Sequence, residues 1–220
     1  MNARDAILGA VRDGLRGASV PPLPALPALP VSGAPPAPLA ADERIARFTA
    51  VQQKLGGVVQ VVADRRAACA RIGLLLAQKG AAVVAASDSP LFAGLGDYVP
   101  ADVALLPPDA PRERLLQADV GVTAAQVGIA ETGTLALCSA AEQHRLASLL
   151  PALHVVVLPL RALVGTLGEA FAALQHDGAP VARTITFVTG PSRTADIELT
   201  LVVGVHGPKA LHVLLVRDDG

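Results

Sequence analysis

Aromatic residues are scarce in this chain of 220 residues, which contains four Phe, one Tyr and no Trp. The hydrophobic fraction is nevertheless 52%, so the core must be built from Ala, Val, Leu and Ile. These residues suit buried parallel strands that are covered by Ala-rich helices. The composition therefore favours an α/β protein, and the length is enough for one sizeable core.

Cysteine is equally scarce, since Cys69 and Cys138 are the only two. They lie far apart and form no CxxC motif, which argues against a disulfide framework and a zinc knuckle. An iron–sulfur cluster normally requires about four thiolates in close spacing. We therefore expect no cofactor to be bound by this chain; if it works in an electron-transfer system, the iron–sulfur clusters belong to partner subunits.

Concentrated charge and long apolar runs are also missing. The net charge is −1, and no basic run is interleaved with aromatics, which argues against nucleic-acid binding. No apolar run reaches the roughly 20 residues that span a bilayer. Residues 1–5 include an acid and begin no hydrophobic signal segment. These absences predict a cytoplasmic protein with neither a nucleic-acid nor a membrane partner.

The five histidines form no HxH or HxxH pair and no cluster with cysteine. Zinc sites normally show such spacing, so we expect no metal site. His154 lies in an apolar strand and is interpreted as a hydrogen-bonded core histidine.

The N-terminal part differs in composition from the rest. Residues 2–16 show the apolar spacing of a short amphipathic helix. Eight prolines follow over residues 21–38, and such a stretch predicts an extended, semi-rigid linker. We therefore divide the chain into a helix plus linker over 1–40 and an α/β domain over 41–220.

Within that domain, short apolar runs alternate with helical patterns. The predicted strands cover 58–62, 82–85, 103–106, 119–123, 134–138, 154–158, 184–188 and 211–216. The predicted helices cover 41–55, 65–78, 89–95, 112–117, 142–149 and 163–175, with a linking turn of helix over 124–130. This alternation predicts an open, mostly parallel sheet with helices on both faces. Ligands of such sheets bind outside the carboxyl ends of the strands.

One acid stands alone in an apolar, glycine-rich stretch. Over residues 120–141 the only charged residue is Glu131. A buried carboxylate is costly unless hydrogen bonds or a cation stabilise its charge. We interpret Glu131 as a catalytic candidate, with Thr132, Thr134 and the backbone near Gly133 as its local partners and as ligand-binding residues. The alternative is a carboxylate that only anchors a tight turn.

A second candidate segment follows the strand predicted over 184–188. Gly190 permits a sharp reversal, and the proline after it fits a turn or the first position of a helix. Ser192 and Thr194 can cap amides, and Arg193 adds a fixed positive charge. These residues predict an anion-binding site where a strand ends and a helix begins.

Three motifs together resemble the lactate-utilisation protein C family, whose shared module is the LUD domain. The motifs are GIAETGTLAL over 128–137, TGPSRTADIE over 189–198 and VGVHGPKALHV over 203–213. The resemblance extends over about residues 58–217. It implies a sheet of the NagB/RpiA/CoA-transferase-like type. It also implies a role beside two iron–sulfur partner proteins in the oxidation of L-lactate to pyruvate.

The third motif places His206 on a glycine-rich loop, and the resemblance makes it a second catalytic candidate. The predicted function is thus a subunit or accessory protein of an iron–sulfur-dependent L-lactate oxidation system. The alternative is a stand-alone small-molecule enzyme or binding protein, with a carboxylate or phosphate ester held between Glu131 and Arg193. The sequence leaves open whether the chain is itself catalytic.

Overall fold

The computed structural model of the chain describes residues 3–16, 39–139, 145–174, 184–194, 202–203 and 207–218. The chain divides into two units, Met1–Ala37 and Pro38–Gly220. In the first unit a helix spans Ala3–Leu15, which confirms the predicted N-terminal helix. The predicted proline-rich linker lies outside the described residues, so the proposed boundary near residue 40 stays a prediction.

The described elements follow the predicted alternation along most of the second unit. The helices are α1 (Ala3–Leu15), α2 (Ala41–Lys54), α3 (Arg65–Lys79), α4 (Arg112–Leu115), α5 (Arg145–Leu149) and α6 (Leu167–Leu174). The strands are β1 (Val58–Asp64), β2 (Val83–Ala86), β3 (Ala104–Leu106), β4 (Val120–Ala124), β5 (Val127–Ile129), β6 (Thr134–Cys138), β7 (Leu153–Pro159), β8 (Leu163–Val164), β9 (Ile185–Val188), β10 (Arg193–Thr194), β11 (Val202–Val203) and β12 (Ala210–Asp218). Three 3₁₀ helices span Pro90–Phe92, Leu95–Tyr98 and Leu160–Ala162. Among the described residues, no helix has the length and apolar character needed to cross a membrane.

The centre of the second unit is a six-stranded sheet with the order β1-β12-β7-β4-β2-β3. Every neighbouring pair in it is parallel. All seven residues of β7 are buried, because both of its faces are covered, as expected for a central parallel strand. The predicted fold class, an open and mostly parallel α/β sheet with helices on both faces, is confirmed.

One face of the sheet packs against α3. Ala68, Ile72 and Leu76 of this helix contact Val155 and Leu214 in a single buried cluster. The helix begins where predicted, because the Asp64 carboxylate accepts a hydrogen bond of 2.7 Å from the Ala67 amide. It ends at Gly80, whose φ of 60° lies in the left-handed region that helix C-termini favour.

The other face is covered by helices and by a second sheet. Phe48 of α2 packs with Leu135 and Leu137 of β6 against Val156 and Leu215 of the central sheet. Further along the same face, α4 and α5 cover the β2–β3 side of the central sheet. The second sheet has the order β8-β5-β6-β9 and mixes parallel with antiparallel pairs.

Two predictions about this second sheet are wrong. Residues 124–130 form no turn of helix, because Val127–Ile129 pairs antiparallel with β6 as strand β5. The helix predicted over 163–175 begins only at Leu167, because Leu163 and Val164 pair with β5 instead. The Thr166 hydroxyl then caps the later start, because it accepts a hydrogen bond of 3.3 Å from the Glu169 amide, and the Glu169 carboxylate accepts one of 2.8 Å from the amide of Gly165.

The half-buried His212 of β12 makes stability depend on pH. Burial lowers its pKa below the ordinary 6.5, and the charges of Lys79 and Arg71 lower it further. The unfolded chain, in which this imidazole has its ordinary pKa, therefore binds a proton at a higher pH than the folded chain does. Stability is lost as the pH falls from 6.5 through the lowered pKa of the folded state. In that window His212 contributes a slope of at most about 1.4 kcal/mol per pH unit.

We expect His212→Gln to remove this contribution. Urea unfolding of both proteins at about pH 7.5 and about pH 5.5 measures the slopes. An equal pH dependence in the variant and the parent would contradict the assignment.

Candidate functional site

Both glycine turns singled out in the sequence pack against the C-terminal end of α2. Gly133 has a φ of 66°, and a Cβ there would lie 3.0 Å from Val51 Cγ1. Gly190 has a φ of 83°, and a Cβ there would lie 3.0 Å from Leu55 Cβ. A side chain at either position would meet both a strained backbone and a crowded helix end. The glycines thus let two separate motifs approach one helix.

A chain of hydroxyl groups joins the two motifs. Thr132 Oγ1 lies 2.7 Å from Thr134 Oγ1, which in turn lies 2.8 Å from Thr189 Oγ1. Thr132 lies in the turn before β6 and Thr134 is the first residue of β6, whereas Thr189 directly follows β9. Because β6 and β9 are paired, the two predicted segments are neighbours.

Glu131 does not use the partners that the sequence suggested. Its Oε1 accepts a hydrogen bond of 2.8 Å from the amide of Leu167, the first residue of α6. Its own amide donates to the Gly165 carbonyl oxygen at 3.1 Å. A carboxylate at a helix N-terminus is stabilised by the amides there and by the helix dipole. This position favours the anchoring interpretation of Glu131 over the catalytic one.

We expect Glu131→Ala to cost about 1–2 kcal/mol of unfolding free energy, because it removes an acceptor from a helix N-terminus. Glu131→Gln keeps an acceptor oxygen and should cost less than about 1 kcal/mol. Urea unfolding measures both, with Glu43→Gln in the exposed first turn of α2 as the control. Unchanged stability of Glu131→Ala would contradict the anchoring interpretation.

Arg193 contacts the end of α2. Its guanidinium donates a hydrogen bond to the carbonyl oxygen of Leu55, the C-terminal cap of that helix. A cation at a helix C-terminus is favourable because carbonyl oxygens there have no partner within the helix. Arg193 therefore completes the same junction that the two glycines form.

The helix predicted to begin after Gly190 is not present at its first residues. Arg193 and Thr194 pair antiparallel with Val203 and Val202 as β10 and β11. The extended course begins at Ser192, whose amide donates to the Pro208 carbonyl oxygen at 2.9 Å. The acids that follow at 196 and 198, the side chain of Thr194 and the whole of His206 lie outside the described residues.

A cavity of about 390 Å³ lies beside the amino-terminal ends of β7 and β12. Six of the residues that line it are Ser148, His154, Phe187, Ser192, Arg193 and Leu211. Gly190 lines it too, whereas Glu131 and residues 132–134 are absent from its wall. The structure therefore places the second predicted segment at a cavity, and it places Glu131 at α6 instead.

The wall of this cavity contains a buried imidazole. His154 is 1% exposed, and its Nε2 lies 2.8 Å from Oγ1 of the equally buried Thr123. The interpretation of His154 as a hydrogen-bonded core histidine is confirmed. Its position beside a cavity was not foreseen, because that depends on which segments cover the strand.

Comparison with known proteins identifies the family. The family model described as "LUD domain" matches residues 45–216. The chain belongs to the LUD domain family. Two proteins named "Lactate utilization protein C" are similar to it: one from an Exiguobacterium strain (38% identical over 114 residues) and one from Bacillus subtilis (39% over 105 residues). The matches cover 50% and 46% of this chain, and 50% and 44% of those proteins.

The chain thus spans about half the length of the curated relatives it matches. A crystal structure of a DUF162 family protein from Deinococcus radiodurans, at 1.70 Å resolution, resembles this fold with a TM-score of 0.58. The two are 24% identical, and the match covers 81% of this chain and 99% of that one. At this identity the likeness supports the fold only.

The two cysteines of this LUD domain are separate in space. Cys69 is buried in α3, and Cys138 ends β6 in the second sheet. Burial raises the pKa of the Cys69 thiol, although the charge of Arg65 opposes the shift. Within the described parts of the chain, no group of three or more His, Cys, Asp or Glu side chains is placed to hold a metal ion.

Proposed function

We propose that this LUD-domain chain works in lactate utilisation, as a subunit or accessory protein of a cytoplasmic, iron–sulfur-dependent system that oxidises L-lactate to pyruvate. The observation that carries the proposal is the similarity to proteins named Lactate utilization protein C, at 38% identity over 114 residues. The relatives are about twice as long as the matched part, so the role is proposed for this chain as one component.

The chemistry of the reaction supports a need for partners. Oxidation of the hydroxyl carbon of L-lactate releases two electrons and two protons, which another redox group must accept. Iron–sulfur clusters take up electrons but are normally held by about four thiolates. With only two cysteines in the chain, we assign the clusters to partner subunits.

Purification of the tagged full-length chain from its native host under anaerobic conditions tests the proposal. We expect partner proteins to co-purify and iron to be found with them, while the chain expressed alone contains no iron. The Cys69→Ser, Cys138→Ser double variant should still support growth on L-lactate. A brown isolated protein with stoichiometric iron would contradict the assignment of clusters to partners. Normal lactate growth after deletion of the gene would contradict the role itself.

A second candidate function is binding of a small carboxylate or phosphate ester. The specific observation in its favour is the cavity of about 390 Å³ with Ser192 and Arg193 in its wall, a volume within the range of ligand sites. Thermal stabilisation of the isolated chain by lactate, pyruvate, a nucleotide or a CoA ester would support it. A scaffold protein predicts no such stabilisation by any of them.

A further inference from the structure

A second crevice lies outside the carboxyl ends of the central strands, at the other end of the sheet from the cavity beside His154. After β2 the next strand of this sheet is β3, which lies on the side of β2 away from β4. After β4 the next strand of this sheet is β7, which lies on the side of β4 away from β2. The strand order therefore reverses between the adjacent strands β2 and β4. In open α/β sheets such a reversal leaves a crevice outside the carboxyl ends of the strands, where ligands bind.

A cavity of about 470 Å³ occupies that position. Ala124 ends β4, Pro159 ends β7 and Ser89 follows β2, and all three line it. Leu91, Ala125 and Ala162 add apolar surface to its wall. The volume suits a ligand well above the size of a three-carbon acid.

The charged side chains known to line this cavity are positive. Arg65 and Arg161 both line the cavity, and none of the Asp or Glu residues that the structure describes does. Arg65 directly follows β1, and Arg161 lies in the 3₁₀ helix that follows β7. One strand, β12, separates β1 from β7, so these strand ends lie about 10 Å apart. Two long arginine side chains from such positions reach a common ligand.

The polar groups near Arg65 and Gln126 are also compatible with a negatively charged ligand. The half-buried Arg65 keeps its Nη1 3.5 Å from the Pro90 carbonyl oxygen, at the cavity wall. The adjacent acid Asp64 is engaged as the cap of α3. Gln126 lines the cavity and uses its Oε1 to accept from the Cys138 amide at 2.5 Å. Its amide nitrogen is a donor and cannot accept.

We propose that this crevice binds a small organic anion. The carboxylate or phosphate group lies between Arg65 and Arg161, since a guanidinium forms paired hydrogen bonds with either group. The apolar part of the ligand lies on Leu91 and Ala125. This proposal does not depend on the role in lactate utilisation, and it concerns a different cavity from the one beside His154.

Matched aromatic probes test the site in the full chain. Phenyl phosphate and benzoate share an apolar ring and differ in the anionic group, while benzyl alcohol carries no charge. Titration calorimetry at low ionic strength should show binding of at least one of the two anions and none of the alcohol, because exposed charges are screened by salt. The preferred anion identifies the headgroup. Competition by inorganic phosphate or L-lactate then shows which of them shares the site.

Charge-matched variants locate the binding. Arg65→Gln and Arg161→Gln should each weaken it about tenfold, the effect of one lost charge-assisted hydrogen bond. Arg66→Gln removes an exposed charge next to Arg65 but outside the lining, and it should change the affinity less than about twofold. Arg161 is exposed, so its variant tests the site even if Arg65→Gln disturbs the start of α3. Absence of binding by both anions would overturn the proposal, as would equal weakening in Arg66→Gln or unchanged binding in the Arg65→Gln, Arg161→Gln double variant.

Discussion

Replacing Gly121 by alanine is expected to destabilise the domain by about 3 kcal/mol or more. Gly121 lies in β4, in the middle of the parallel sheet, between Ala85 of β2 and His154 of β7. A Cβ at this position would lie 1.7 Å from the carbonyl oxygen of Ala147 and 2.8 Å from its carbonyl carbon. Both contacts are with backbone atoms of α5, so no side-chain rotation relieves them and the helix must move.

The expected displacement reaches the cavity beside His154. Ser148 and Leu149 of α5 line that cavity, so Gly121→Ala should alter the environment of His154 as well as the stability. Urea unfolding measures the first effect, and the NMR signals of the His154 ring report the second. Gly96→Ala is the control, since a Cβ there would meet no atom within 4 Å, and we expect it to change stability by less than about 0.5 kcal/mol. Similar midpoints for both variants would contradict the close approach of α5.

The parallel sheet was predictable because its strands are local signals. The runs in β7 and β12 are mostly apolar, and β7 contains three consecutive valines, so they indicate buried strands without any knowledge of their neighbours. Helix α3 was equally clear, since Asp64 and Gly80 supply its two caps.

The second sheet was missed because its pairing is not local. Strand β5 is only three residues long and includes Gly128, and β8 is only two residues long. Gly128 pairs with Leu163, which lies beyond β6, α5 and β7 in the chain. Neither segment shows an alternating pattern, so only the folded neighbour defines it as a strand.

The contacts of the candidate site residues were likewise not predictable, because they join segments that are distant in sequence. Sequence identified Glu131 as a carboxylate that requires partners and Arg193 as the positive charge of an anion-binding site, but it did not identify the partners that the structure gives them. Those partners are the Leu167 amide, 36 positions away, and the Leu55 carbonyl oxygen, 138 positions away. Both are backbone groups at helix ends, and their contact with these two side chains depends on the fold. Arg65 was not singled out from the sequence, although it begins the helix predicted over 65–78 and follows the strand predicted over 58–62. The rule that ligands bind at carboxyl strand ends could have pointed to it.

The second large effect is expected at Gln52, which joins α2 to the Gly133 turn. Its side chain is 0% exposed, and its amide nitrogen donates to the Gly133 carbonyl oxygen. Gln52→Ala removes this donor and leaves a space in a packed interior. We expect a loss of about 2–4 kcal/mol of unfolding free energy.

A volume-matched variant separates the cost of the lost hydrogen bond from the cost of the space left in the interior. Within the described part of the chain, the buried Gln52 Oε1 has no hydrogen-bond partner, and burial of an unpaired oxygen is itself unfavourable. Gln52→Met keeps most of the volume, removes that oxygen and leaves only the Gly133 carbonyl without its donor. We therefore expect Gln52→Met to cost about 1 kcal/mol, less than Gln52→Ala.

The neighbouring Gln53→Ala is the matched control, because Gln53 is exposed on the same helix and should change stability by less than about 0.5 kcal/mol. Urea unfolding gives the free energies, and hydrogen exchange of the amides over 131–134 reports whether the turn loosens locally. If Gln52 holds the turn, exchange there should accelerate in both Gln52 variants and not in Gln53→Ala. A Gln52→Ala protein as stable as the Gln53 control would show that α2 and the Gly133 turn are held together by other contacts, such as the packing of Gly133 on Val51.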